Sequence, residues 1–524
     1  MQNTARQLLV SLIVVAAWLE AASLLADWPQ ANGPHGNFNP RRHGYELLED
    51  LNRAQLVWES EDRDLGYAKG SSSGYVRHLA QREGHPGSCS GVIVADGMAL
   101  ASSFRPTGKV WAENLPHLKH DKNREWISEH GEKLKKNLRI DADDLLLAID
   151  LKTGKTRWKA IEQSKGLNLY MGKREGFGVA PAGNDGRVFS MGTTGRLYAY
   201  DAGSGEKLWE TNIDVAHERM EAEKQKALDN RTLPGKFGWD ASLVIADGVL
   251  IVPTYDSAID MSLRGVNVEN GDVLWEQQQA CSRYATPAVF HHDDHQYVLV
   301  ANRRGEMRMI EPRSGKVLWT VTGLAPTYYA LSPSATHVFV NVPSAHVNPK
   351  KAKDKQPWGL LAAYRIAPEK AELAWTMPDE PPFWFENHMD ICAMRRVLIR
   401  DGKVYFFGHG HTLDPNYSSR HFSILDEQTG KVLMTTTKLS GSPMMYLVGD
   451  RLLYVPDASH SDRLTMQLFT TDPSDFRQLG KTWKPPHTST TAYEVFMETP
   501  YVDGRLYLRT EQGTIRCYEI VSKK

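Results

Sequence analysis

Glu386, His388 and Asp390 alternate along "FENHMD". On an extended chain side chains two apart turn the same way, so an imidazole would stand between two carboxylates, a set able to give and take protons. It is the best acid–base cluster in the sequence, but it stands alone: no nucleophile-elbow glycines, phosphate-binding loop or paired zinc motif accompanies it. In "GHGHT", His409 and His411 would likewise share a face, with no third and fourth ligand in view for zinc or copper. The run "HHDDH", His291 to His295, falls between two strand-like segments where a hairpin turn is due, and reads as an exposed loop before it reads as a metal site. Cys89, Cys281, Cys392 and Cys517 are far apart, with no CxxC, no CxxCH and no adjacent pair. Zinc ribbons, thioredoxin-type chemistry and covalent haem are unsupported, and buried thiols are expected.

What would position such residues is a repeat. "LLLAIDLKTGKTRWKA", from Leu145 to Ala160, reads as strand, tight turn and strand, and it returns as "LYAYDAGSGEKLWET" from Leu197. The acidic side chain of the turn accepts hydrogen bonds from turn amides, glycine tolerates positive φ, and tryptophan brings a large apolar face with one N–H. Further copies are "VNVENGDVLWE", "MIEPRSGKVLWT" and "ILDEQTGKVLMT"; degenerate ones end at Trp375 and Trp483. A second hairpin precedes each copy, as in "SGVIVADGMALASS" and "SLVIADGVLIVPT", with alternating apolar residues on both sides of an Asp-Gly turn. Two hairpins make a four-stranded unit of about 45 to 60 residues, the size of a propeller blade.

Seven blades end at Trp158, Trp209, Trp275, Trp319, Trp375, Met434 and Trp483. The C-terminal "VDGRLYLRTEQGTIRCYEI" supplies three strands of an eighth, and "AQLVWES", with Trp58, supplies the missing outer strand. The expected fold is all-β: one eight-bladed β-propeller whose N- and C-terminal strands close a shared blade, with the seven tryptophans docking blade to blade. Charged segments at about 111–144 and 212–234 favour helix by composition and are expected as helical rim insertions; a third insertion, about 342–358, reads as a loop.

In a propeller the residues just before each innermost strand converge on the mouth of the central channel. Here they include Trp239, Asp240, Arg283, Tyr284, Tyr328, Tyr329, His388, Asp390, Tyr493 and Glu494. Aromatic faces with a few carboxylates and one guanidinium suit a planar anionic or sugar-like ligand; the alternative is that these groups bind water and one another.

Lysine and arginine total 62 against 63 acidic residues, so the electrostatic footprint of a nucleic-acid binder is missing. Residues 1–26 carry Arg6, the apolar run "LLVSLIVVAAWL" and the small-residue stretch "AASLLA", the layout of a signal peptide. The run is about twelve residues, short of the roughly 20 that span a bilayer. The mature chain, 27–524, is therefore expected to be exported, periplasmic or extracellular, with no transmembrane span; an uncleaved anchor is the alternative. No cysteine stands near the cleavage point to take a lipid.

The motif A-x-D-x-x-T-G-x-x-x-W, complete at Ala148, Asp150, Thr153, Gly154 and Trp158, resembles the tryptophan-docking motif of the pyrroloquinoline quinone (PQQ) propeller superfamily. The opening "DWPQANGPHGNFNP" is similar to the N-terminal segment of secreted bacterial PQQ-like repeat proteins. The resemblance implies one of two activities. Quinoprotein alcohol dehydrogenases hold PQQ and Ca²⁺ in the funnel, use an aspartate base and cap the quinone with a disulfide between adjacent cysteines, which this chain lacks. Non-enzymatic propellers, among them the lipoprotein subunit of the outer-membrane barrel assembly machinery, bind proteins. The leading expectation is a non-catalytic scaffold for a protein or small ligand; the alternative is a PQQ- and calcium-dependent alcohol or sugar dehydrogenase with Asp240, Asp390 or Glu494 as calcium ligand or base.

Overall fold

Asp96 and Gly97 both take left-handed φ, 49° and 71°, and the same Asp-Gly pair recurs at 185–186, 247–248, 401–402 and 503–504. Two consecutive positive φ values are what a two-residue hairpin turn needs to match the twist of its strands. The computed structural model that shows these turns describes residues 28–34, 36–37, 39–40, 45–65, 90–113, 138–167, 170–171, 174–175, 179–213, 241–255, 260–282, 285–327, 330–347, 357–380, 384–385, 397–410, 419–439, 444–455, 465–486, 499–510 and 512–522.

Each such turn joins the first two strands of a four-stranded antiparallel blade. Blade 1 is Ile93–Ala95, Met98–Glu113, Leu138–Asp150 and Thr156–Leu167; blade 2 is Ala182–Asn184, Arg187–Met191, Arg196–Asp201 and Lys207–Asn212. Blade 3 is Val244–Ala246, Val249–Tyr255, Asp260–Asn267 and Val273–Ser282; blade 4 is Ala288–His292, His295–Ala301, Met307–Ile310 and Val317–Val321. Blade 5 is Ser332–Pro333, His337–Val347, Pro357–Ala367 and Lys370–Thr376; blade 6 is Leu398–Arg400, Lys403–Gly410, Ser419–Asp426 and Val432–Thr436. Blade 7 is Met444–Val448, Arg451–Val455, Met466–Thr470 and Gln478–Trp483. Blade 8 combines Tyr501–Val502, Arg505–Arg509 and Ile515–Glu519 with the N-terminal strand Gln55–Glu59, which pairs antiparallel with Ile515–Glu519.

First strands of successive blades lie against one another, so they are the innermost ring. Each is buried on both faces, which is why apolar residues occupy both parities of the strand. In blade 7, Met445 and Leu447 pack toward blade 6 while Tyr446 and Val448 pack toward blade 8. Apolar clusters of this kind fill every junction, that between blades 8 and 1 included. The outermost strands are half exposed.

The recurrent tryptophans cross these junctions. Trp58 Nε1 donates to Leu151 O at 2.8 Å, Trp158 to Ala202 O at 2.8 Å, Trp209 to Val268 O at 3.0 Å, Trp275 to Pro312 O at 2.6 Å, Trp319 to Ala367 O at 2.9 Å and Trp375 to Glu427 O at 2.9 Å. Each acceptor lies in, or directly beside, the turn between the third and fourth strands of the following blade. Within such a turn, Asp150 Oδ1 accepts from the amides of Lys152 and Thr153 and from the Thr153 hydroxyl.

The described residues give the expected helical insertions no support. Among the described residues no α-helix occurs, and the short 3₁₀ turns Leu51–Arg53 and Pro473–Asp475 are the only helical elements. Of the insertion expected at 111–144, residues 111–113 and 138–144 are strand, continuing the middle strands of blade 1 beyond the sheet; Val110 faces Ile140 and Glu113 faces Leu138. Pairing outward as a ribbon satisfies their backbone groups, which outweighs helix propensity. The loop expected at 342–358 is strand at both ends for the same reason, Val342 opposite Leu360 and Val347 opposite Pro357. Of 212–234, Asn212 closes the outer strand of blade 2. Residues 114–137, 214–234 and 348–356 lie outside the described residues, as do residues 1–27. No helix among the described residues is long and apolar enough to cross a membrane.

Candidate functional site

Hydrogen bonds between neighbouring blades frame the mouth where the innermost strands begin. Ala180 N donates to Ser242 Oγ and Ser242 N to Thr286 Oγ1, each at 3.0 Å, linking the starts of blades 2, 3 and 4. Ser282 Oγ donates to Thr327 O, which ties the blade 3 exit to the blade 5 entry. This frame was not legible in the sequence, because serine and threonine before a strand read equally well as loop. The ten residues expected at the mouth, Trp239, Asp240, Arg283, Tyr284, Tyr328, Tyr329, His388, Asp390, Tyr493 and Glu494, all lie outside the described residues. Asp240 directly precedes the framed segment Ala241–Ser242.

"FENHMD" is anchored at its first residue. Trp384–Phe385 pairs with Gly359 and Leu360 of blade 5 on one side and with His409 of blade 6 on the other. This two-residue strand fuses the two blades into one nine-stranded sheet. Glu386, His388, Asp390 and His411 fall outside the described residues. "HHDDH" is a hairpin turn: His292 pairs with His295 across Asp293 and Asp294, and His295 Nδ1 is 3.4 Å from Asp247 Oδ2. Cys281 and Cys517 are buried and form no disulfide; burial pushes the Cys517 thiol up to about 12, which leaves it unreactive at neutral pH.

The strongest titratable cluster among the described residues was not singled out from sequence. Asp144, in the third strand of blade 1, is buried against blade 2. Its Oδ1 accepts from Thr193 N and Thr193 Oγ1 at 3.0 Å, and its Oδ2 accepts from Tyr198 OH at 3.1 Å. Burial pushes the carboxyl up to about 6 despite these donors, and Glu162 adds repulsion. Glu162 accepts from Tyr200 OH at 3.1 Å and from Lys207 Nζ at 2.8 Å; Glu210 accepts from Lys207 and Arg196, both at 2.8 Å. The signal, in hindsight, is an acid heading an apolar run in "DADDLLLAID". The whole network lies between two blades, where it fixes their relative position.

A second buried cluster sits between blades 5 and 6. His337 Nδ1 is 2.8 Å from Thr336 Oγ1 and 3.5 Å from Glu427 Oε1, and Ser334 Oγ donates to the same carboxylate oxygen. Burial holds the imidazole below its ordinary pKa. Serine bonds to glutamate and not to imidazole Nε2, so histidine is not placed to activate it as a nucleophile.

Residues 142–332 match the family described as outer membrane protein assembly factor BamB. A stretch of 187 residues is 25% identical to the lupanine 17-hydroxylase (cytochrome c) of a Pseudomonas species, covering 32% of this chain and 24% of that protein. The chain thus aligns with about a quarter of that relative's length. The fold is similar to that of the quinohemoprotein alcohol dehydrogenase of Comamonas testosteroni, with 12% identity, 95% of this chain and 81% of the other covered, and a TM-score of 0.53. BamB from Moraxella catarrhalis, 11% identical, covers 73% of this chain over 92% of its own, with a TM-score of 0.45. The tandem four-stranded blades make the chain a β-propeller, within which residues 142–332 carry the match to the PQQ-like repeat family.

Proposed function

We propose that the chain is an exported, non-catalytic propeller that acts as a scaffold for a protein or ligand. The match of residues 142–332 to a family named for outer-membrane protein assembly carries this reading. Consistent with it, the aspartates and tryptophans of the repeat are engaged in turns and blade junctions, and the two buried titratable clusters join neighbouring blades.

The second reading, a PQQ- and calcium-dependent dehydrogenase, is favoured by the stretch shared with lupanine 17-hydroxylase. Its site would draw on Asp240, Asp390 or Glu494, which lie outside the described residues; among the described residues no group of three or more His, Cys, Asp or Glu is placed to hold a metal ion.

Titration of the mature protein with PQQ and Ca²⁺, following quinone absorbance and dye-linked oxidation of alcohols and sugars, separates the two. The scaffold reading expects neither saturable binding nor turnover. Saturable binding with turnover that Asp240→Asn or Glu494→Gln abolishes would overturn it. A rim-borne interface is tested by deleting residues 114–137 alone, since 138–150 is a core strand of blade 1.

A further inference from the structure

Residues 28–34, 36–37 and 39–40 touch the innermost strands of blades 1 to 6 in order. Trp28 exchanges both backbone hydrogen bonds with Val94 of blade 1, at 3.2 and 2.8 Å. Gly183 N of blade 2 donates to Pro29 O at 2.8 Å, and Ile245 N of blade 3 donates to Gln30 Oε1 at 2.7 Å. Gly36 lies so close to blade 4 that an added Cβ would be 2.7 Å from Val289 N. Asn37 Nδ2 donates to Pro333 O of blade 5 at 3.2 Å, and Asn39 Nδ2 donates to Ile399 O of blade 6 at 2.5 Å.

These contacts share one end of the ring. Val94, Gly183, Ile245 and Ile399 each stand two residues before the Asp-Gly turn that ends their strand. The repeat turns occupy the same face, since Leu151 N donates to Gly97 O and Ala202 N to Gly186 O. The segment is also built to stay: Trp28, Gln30, Ala31, Asn32 and Asn39 are buried, and Gly33, at φ 78°, lies 3.2 Å beneath the Trp28 ring by its missing Cβ. The amides it engages are those an innermost strand would otherwise turn toward channel water.

We infer that residues 28–34, 36–37 and 39–40 are a stopper that closes the central channel at the turn face, leaving a funnel with a single mouth at the face where the innermost strands begin. Whatever binds in the channel enters and leaves by that mouth. The ligand class is a small molecule or the exposed tip of a partner; a polymer threaded through the ring is excluded. This holds for a scaffold and for a quinoprotein alike.

Hydrogen exchange on the full mature chain tests the stopper. In the wild-type protein the amides of Val94, Gly183 and Ile245 should exchange as slowly as those of the second strands. Gly36→Val, strained at φ 63° and in collision with Val289, should speed all three by at least on the order of tenfold while second-strand amides stay slow. Gln30→Ala, a milder change, should release Ile245 alone. Wild-type amides at these positions that exchange as fast as the Asp185–Gly186 turn would overturn the stopper, with or without a folded Gly36→Val protein; so would unchanged rates in both variants.

Discussion

Gly205 of blade 2 lies flat beneath the indole of Trp158 of blade 1: a Cβ built on it would come within 2.6 Å of Trp158 Cδ2, while the indole N–H reaches past it to Ala202 O. The same relation holds for Gly154 under Trp58, Gly271 under Trp209, Gly315 under Trp275 and Gly430 under Trp375. Glycine in the repeat thus serves two demands at once, a positive φ and a surface flat enough for a ring.

Those demands are separable by mutation. Gly205, at φ 73°, and Gly248, at φ 74°, share a backbone conformation, but nothing lies within 4 Å of a Cβ at Gly248. Gly248→Ala should cost about 1 kcal/mol, the left-handed penalty alone. Gly205→Ala should cost about 3 kcal/mol, because the indole must also move. Denaturant midpoints of the two variants measure the difference; equal losses would mean that the ring contact carries no stability.

Asp144 sets a pH dependence of unusual sign for a carboxylate. Its folded pKa is raised from 3.8 to about 6, so between these values the folded chain holds a proton that the unfolded chain has released. Stability from this group is full below about pH 4 and is lost as pH rises through about 6, roughly 3 kcal/mol at about 1.4 kcal/mol per pH unit. Asp144→Asn keeps an oxygen for Thr193 and removes the titration. Unfolding free energies from pH 4 to 7 should therefore fall less steeply, or rise, in the variant relative to wild type. Parallel curves would show that Asp144 titrates as an ordinary aspartate.

Sequence and structure agree where local pattern dictates the outcome. The Asp-Gly turns, the alternating strands and the acid that collects turn amides, Asp150 with Thr153, are all short-range features that the residues themselves specify. Contacts between distant parts of the chain leave no such trace. Gln30 Oε1 meets Ile245 N across 215 positions, and nothing in "DWPQANG" announces a partner. Residues 111–113 and 138–144 run against the expected helix because the segment's composition is charged, and propensity ignores that two strands can extend each other into solvent. Asp144 escaped notice because a buried acid and an exposed one look the same in a sequence.

Glu59 joins the N-terminal strand to the rest of blade 8. Its carboxylate accepts from Arg516 Nε at 3.0 Å and Nη2 at 2.8 Å, and from Thr514 Oγ1 at 2.8 Å. The Arg516 side chain is 9% exposed, so removing its counter-charge strands a guanidinium in a poorly hydrated place. Glu59→Gln should destabilise the protein by about 2 to 3 kcal/mol. It should also raise hydrogen exchange in residues 55–59 before any other strand. Uniform acceleration across all blades would instead place the pair outside local control of that strand.

Blade 6 breaks the tryptophan series with Met434, and the reason lies in blade 7. Where five of the junctions offer a glycine to the ring, this one carries the 3₁₀ turn Pro473–Asp475 and then Phe476, stacked at 5.1 Å on Phe422 and 5.3 Å on Phe469. Met434 packs against the same cluster, and its unbranched thioether fits beside a ring that already fills the site. Restoring the repeat with Met434→Trp should therefore cost about 1 to 3 kcal/mol through overpacking, against the gain that repeat consensus would suggest. Thermal unfolding of the variant decides: a higher Tm would mean that Phe476 yields and that methionine is a replaceable outlier, whereas a lower one would show that the junction was rebuilt around its own aromatic stack.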